Sequence, residues 1–208
     1  MVNNKIRKHL GKRSERGKLD ALHNFHKNSE GVILSCGPSI KKYENEIINL
    51  KNVIIIGVKQ AIRLAPYLNY HLLNFVNVAK YNYEKPKPIV LETVRVKNKS
   101  NADIRFPFRH TKPLSSTLNF SKYEMSKSFT RPWGPGIMYE LGFYLAFHLG
   151  LNKITTYGWD NDLSNGSRFD KNIKITPSMI RECNEAKKAE DDVLTFFRRK
   201  GMEIDIKR

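Results

Sequence analysis

Three short stretches hold residue types that could handle a phosphorylated ligand: Cys36-Gly-Pro-Ser39, Arg131-Pro-Trp-Gly-Pro-Gly136 and Gly158-Trp-Asp-Asn-Asp162. The first follows the apolar run Gly31-Val-Ile-Leu-Ser35 and precedes a helix-compatible segment. A strand that stops at a Gly-Pro-Ser turn and feeds a helix start converges backbone N–H groups and the positive end of the helix dipole on one anion. Gly37 lets the backbone approach a ligand closely, and Ser39 can cap the helix or donate to a phosphate oxygen. An ordinary strand-turn-helix corner uses the same residues, so the weight lies on agreement among several exits. In the second stretch Gly134 and Gly136 open onto an apolar helix. Trp133 could stack on a base or serve as a core aromatic, and Arg131 could pair with phosphate. In the third, Asp160 and Asp162 have the Asp-x-Asp form that holds a divalent metal against a diphosphate, although loop aspartates also form turns.

The histidines divide by context. His71 lies in an expected strand and His148 in the apolar helix, where both read as structural. His110, beside Arg109 in a polar segment, is the one placed to reach a pocket as a mobile general base. Cys36 sits inside the phosphate-type turn, where a lowered thiol pKa could arise, but no base accompanies it. A packing or ligand-contact role is preferred for it.

The elements that must position these residues are legible as alternating strands and helices. Strands are expected at 32–35, 53–57, 70–76, 89–94, 154–157 and 202–206. Helices are expected at 40–50, 60–65, 137–149 and 177–200. Short apolar strands alternating with helices predict one α/β domain, a mostly parallel sheet with helices on both faces. Ligands of such sheets bind outside the carboxyl ends of the strands, which adds Lys59 and Asn77 to the candidate residues. Residues 95–130 carry no clear pattern and read as a lid or acceptor-facing insert within a 31–208 domain.

Composition narrows the partners. The 208 residues hold 37 basic and 20 acidic side chains, a net charge of +17, which implies an anionic partner. Residues 1–30 are strongly basic and read as an appended segment: a helix packed on the domain edge, or an arm for nucleic acid or an anionic membrane surface. No zinc, helix-turn-helix or aromatic RNA-binding signature accompanies the charge, which argues against nucleic acid. Two distant cysteines and the lack of a long apolar run or a secretory leader point to a reducing, cytoplasmic setting.

Cys36-Gly-Pro-Ser-Ile40, together with Gly136-Ile-Met-Tyr and Leu149-Gly-Leu-Asn-Lys-Ile-Thr-Thr-Tyr-Gly-Trp-Asp160, resembles the bacterial sialyltransferases that use CMP-sialic acid. The same residues are similar to the related hydroxymethylpterin pyrophosphokinase-like group. The resemblance covers residues 31–160 and implies a Rossmann-like fold. It implies nucleotide contacts by Cys36, Gly37, Ser39, Lys59, Asn77, Gly134, Gly136 and Asp160. Cys36 stands where the sialyltransferases carry Asn, and Gly134–Gly136 replaces Thr-Ser-Gly. Their downstream histidine base has no counterpart in 161–208, so either His110 or an aspartate (Asp160, Asp162 or Asp170) would substitute, or the chemistry differs. The expected function is therefore a glycosyltransferase taking a nucleotide-sugar donor, a CMP-sugar by preference, to a glycan or other small acceptor. No metal is required for donor binding in this reading, with Mg²⁺ or Mn²⁺ as an option. The alternatives are pyrophosphoryl transfer from ATP with Mg²⁺ on Asp160 and Asp162, and a non-catalytic basic module for nucleic acid.

Overall fold

The period-two burial of the apolar runs decides the architecture. Ile33 turns to one side of its strand while Val32 and Leu34 turn to the other, and all three are buried. Strands covered on both faces belong to parallel sheets with helical crossovers. The computed structural model describes residues 2–65, 67–74, 81, 83, 86–94, 102–107, 120–129, 136, 138–164, 166, 168–169 and 174–208. Its strands are β1 (Glu30–Leu34), β2 (Ile54–Val58), β3 (Tyr70–Asn74), β4 (Ile89–Val94), β5 (Ile104–Pro107), β6 (Lys153–Tyr157) and β7 (Glu203–Lys207). They form one seven-stranded sheet in the order β5-β4-β3-β2-β1-β6-β7, and every pairing is parallel. The chain is thus a single Rossmann-like α/β domain, with its sheet wholly rather than mostly parallel.

The helices are α1 (Val2–Leu10), α2 (Glu15–Leu22), α3 (Glu44–Ile48), α4 (Phe143–His148) and α5 (Pro177–Arg199). Ile6 and Leu10 of α1, Leu19 and Leu22 of α2, α4, and the rear half of α5 cover the face that carries Ile33, Ile56 and Leu72. The other face, with Val32, Leu34 and Ile55, is closed by α3 and by two 3₁₀ turns, Pro38–Tyr43 and Lys59–Arg63. The segment expected as one helix over 40–50 is therefore a 3₁₀ turn running into a short α-helix. Pro38, which cannot donate, starts it at the position where helices tolerate proline best.

Residues 1–30 pack on the domain edge, one of the two readings of their sequence. Ile6, Leu19 and Leu22 are fully buried, and polar bonds tie the segment to the far edge of the sheet. Arg7 pairs with Asp103 at 3.2 Å and donates to the carbonyls of Lys87 and Pro88, while Lys18 donates to Asp103 O. Part of the basic charge thus holds the fold. The expected patternless insert at 95–130 contains β5, the edge strand beside β4. Four residues ending in a proline give little periodicity, and an edge is where a sheet tolerates proline. The helix expected over 137–149 begins with a π-helical turn, Met138–Gly142, before α4. Among the described residues no helix is long and apolar enough to cross a membrane.

Candidate functional site

The strand order reverses between β1 and β6. The chain leaves β1 toward β2 on one side, and β6 pairs on the other. A crevice opens at the carboxyl ends of these strands, beside the point where their exits meet. The crevice has two compartments, of about 180 Å³ and about 300 Å³, that share Ser35, Cys36, Lys59, Trp159, Asn161 and Arg168. The smaller adds Gly136, Met138 and Tyr139; the larger adds Gly37, Gly158, Asp160 and Asp162. A third cavity, of about 270 Å³, lies at the amino-terminal ends of β1 and β6, among Asn24, Lys27, Gly150 and Asn152. Parallel sheets bind ligands at the opposite end, and the candidate residues gather there.

Gly37 and Gly158 meet across the switch point. The Gly37 N–H donates to Gly158 O at 2.8 Å, and Gly158 adopts φ +68°, a left-handed conformation that glycine takes without cost. A side chain on Gly37 would run into Asp160 and come within 2.6 Å of Gly158 O. The space above Gly37 is thus filled by the chain's own carboxylate. Asp160 accepts from the Ser39 N–H at 3.0 Å through Oδ2 and from the Ser39 hydroxyl through Oδ1. The sequence reading assigns the anion position at the start of the Pro38–Tyr43 turn to a ligand phosphate; in the structure an internal carboxylate takes these donors. Asp162 serves a different partner. It accepts from the Ser164 N–H at 2.9 Å and lies 3.9 Å from Lys187, and these hydrogen bonds hold its carboxyl below the usual range. The two aspartates thus line one compartment but bond to different partners, and no cluster of three metal-ligating side chains occurs among the described residues.

Cys36 is a neutral thiol. Its S–H donates to Val58 O at 3.0 Å and toward Gln60 Oε1 at 3.3 Å. Burial pushes the thiol up and outweighs the opposing pull of Lys59 and Arg168, which corrects the idea of a lowered pKa. Lys59 leaves β2 at φ +49°, a conformation that costs a non-glycine residue about 1–2 kcal/mol. His71 holds it there. A carbonyl only accepts, so His71 Nε2 donates to Lys59 O at 2.6 Å, and the Tyr83 hydroxyl donates to Nδ1 at 2.8 Å. His71 is fully buried, which pushes its pKa down to about 4 and keeps it neutral. The expected structural role of His71 thus bears on the cleft through Lys59. His148 likewise bonds Leu19 O, far from the cleft.

The front of α5 forms one wall of the larger compartment. Its buried residues, Ala186, Ala189, Val193, Leu194 and Phe197, begin only at Ala186, so Met179, Glu182 and Cys183 stand clear of the core beside the crevice. Of the residues expected from sequence, Cys36, Gly37, Ser39, Lys59, Gly136 and Asp160 gather around the switch point. His110, Asn77, Gly134, Asp170, Arg131 and Trp133 lie outside the described residues. The sequence reading did not single out Arg168, Trp159, Asn161 or Tyr139. Arg168 is one of 37 cations and had no distinguishing signal, whereas Asn161 stood in view as the spacer of Asp-x-Asp. Compared with protein-family models and with curated proteins, the chain matches none.

Proposed function

We propose that this chain is a glycosyltransferase that takes a nucleotide-sugar donor, a CMP-sugar by preference, into the switch-point cleft and transfers the sugar to an acceptor hydroxyl. The observation that carries this reading is the pair of cations, Lys59 and Arg168, shared by both compartments at the carboxyl end of a parallel sheet. With Asp160 engaged by Ser39, the donor phosphate is assigned to these cations rather than to the Gly37–Ser39 turn. Charge grows on the departing phosphate as the anomeric carbon is attacked, and the two cations stabilise that change. His110 is the base this reading calls for. It takes the proton of the acceptor hydroxyl while the phosphate leaves with the bonding electrons. Asp160 is a positioning residue that locks the β1 and β6 exits together.

The test is a thermal-shift screen of the wild-type chain against CMP, UDP, GDP and ATP, with and without Mg²⁺ or Mn²⁺. A nucleotide at about 100 times its Kd adds about 2.7 kcal/mol of stability, which for a chain of this size raises Tm by roughly 5–10 °C. Lys59→Ala and Arg168→Ala are expected to remove most of that shift, and metal to add little. Shifts that survive both substitutions would move the nucleotide elsewhere, and no shift with any nucleotide would overturn the reading.

A further inference from the structure

Asn161, in the loop after β6, has φ +46°, a left-handed position that asparagine tolerates better than most residues, and it lines both compartments of the cleft. Its side-chain nitrogen donates twice, to Glu190 Oε2 at 2.7 Å and to the Tyr139 hydroxyl oxygen at 2.9 Å. The Tyr139 hydrogen is itself committed to Ala186 O at 2.6 Å, so toward Asn161 the tyrosine can only accept. The Glu190 carboxylate likewise only accepts, and Arg208 pins it from the other side. Arg208 in turn donates to Trp159 O at 3.2 Å and lies over the indole ring, 5.9 Å from its centroid.

This chemistry dictates which way the amide points. A flipped amide would set Oδ1 against two acceptors, so the observed orientation is the one the network permits. Both amide hydrogens are then committed away from a ligand. Oδ1, with no hydrogen-bond partner among the described residues, is what the amide has left for the cleft.

We propose that Asn161 Oδ1 is a fixed hydrogen-bond acceptor that determines ligand specificity, selecting a nucleobase that presents an exocyclic amine over one that presents a carbonyl in the same place. The proposal rests on the nucleotide reading above and sharpens it. The smaller compartment, walled by Tyr139, Trp159 and Met138, suits a flat base, and Lys59 and Arg168 stand beside it for the phosphate. An amine meets Oδ1 with a hydrogen bond. A carbonyl leaves two acceptors facing each other without a proton, which costs about 10- to 100-fold in affinity.

The experiment is calorimetric titration of the full chain with two matched pairs, CMP against UMP and AMP against IMP. In each pair the first member carries the amine and the second a carbonyl at the same ring position. Wild type is expected to bind the amine member at least 10-fold more tightly, and Asn161→Ala is expected to bring the ratio within about threefold. Glu190→Gln is the sharper variant. With Arg208 holding the new side chain's oxygen, its nitrogen faces Asn161; the Tyr139 hydroxyl then swings its hydrogen from Ala186 O to Asn161 Oδ1, and the amide turns round. The cleft would then present a donor, and the preference would move toward UMP and IMP. Equal binding within both pairs in wild type would overturn the proposal while leaving the nucleotide reading intact. So would a ratio that survives Asn161→Ala and Glu190→Gln. Binding of none of the four would overturn both together.

Discussion

Replacing Gly37 by alanine tests whether the Gly-Pro-Ser turn is a lock between strand exits or a cradle for phosphate. The added Cβ would lie 2.6 Å from Gly158 O and from Asp160 Cγ, distances that real Cβ atoms essentially never show. Neither neighbour yields easily. One is backbone, and the other is a carboxylate held by Ser39. To accommodate the methyl group the turn must separate from the β6 exit. That move breaks or stretches the bond from the Gly37 N–H to Gly158 O and the two from Ser39 to Asp160. A neutral backbone hydrogen bond contributes about 1 kcal/mol and a bond to a charged group about 1.5–3 kcal/mol, so partial loss of the three predicts about 3–5 kcal/mol of destabilisation. Urea unfolding reads this as a lower midpoint at unchanged slope. Asp160→Ala alone removes the two Ser39 bonds. In the double variant the clash with the carboxylate is gone but that with Gly158 O remains. Its cost is therefore expected to fall below the sum of the single costs by about 1–2 kcal/mol. A Gly37→Ala protein within 1 kcal/mol of wild type would refute the lock. If that protein also lost nucleotide affinity, the turn would be the ligand cradle that the sequence suggested.

Acid should weaken the protein through His71. Its folded pKa, about 4, lies below the ordinary 6.5, so between these values the unfolded chain binds a proton that the buried ring refuses. Stability is then expected to fall as pH drops from about 6.5 to about 4 and to level off below, by on the order of 3 kcal/mol for this group. Burial pushes the His26 ring down to about 4 as well, so His71→Gln should reduce the slope of that part of a urea-midpoint-against-pH curve by about half, and an unchanged curve would remove His71 as a cause. At the other end of the molecule, Leu10→Ala or Leu22→Ala should cost about 2–5 kcal/mol, as expected for core leucines. A cost below 1 kcal/mol for both in denaturant melts would show that α1 and α2 are the loose appendage their charge suggested.

Much of the sheet could be read from residue types because each central strand is a run of buried aliphatics with glycine or a polar turn at its exit. Val32–Leu34, Ile54–Val58 and Ile154–Tyr157 stand out in this way. β5 was hidden because an edge strand buries less, and Ile104-Arg-Phe-Pro107 offers only two apolar positions that are fully covered. Residues 1–30 left two readings open because charge dominates their composition, while burial depends on the few leucines and isoleucines on one side of α1 and α2. At the site, the switch-point rule brought Gly37, Lys59 and Asp160 to one place without any contact being known. What the rule could not supply was direction. Whether Asp160 faces solvent, metal or Ser39 depends on side-chain geometry across 121 residues of chain. The amide of Asn161 is likewise oriented by Tyr139 and Glu190, which no local pattern connects to it.

The ties between α1 and the sheet edge also set an order of events during synthesis. Ile6, Leu10, Leu19 and Leu22 emerge from the ribosome well before the β4–β5 edge to which Arg7 and Lys18 bind, with 96 residues separating Arg7 from Asp103. At ordinary elongation rates of about 5–20 residues per second that interval lasts about 5–20 s. β1 waits longer still for β6, its second neighbour in the sheet. Throughout this time an amphipathic basic helix pair lacks the edge strands to which it is tied and has only part of the sheet face that it covers. The nascent chain is then most exposed to aggregation, and a holding chaperone would find its binding surface in these first two helices.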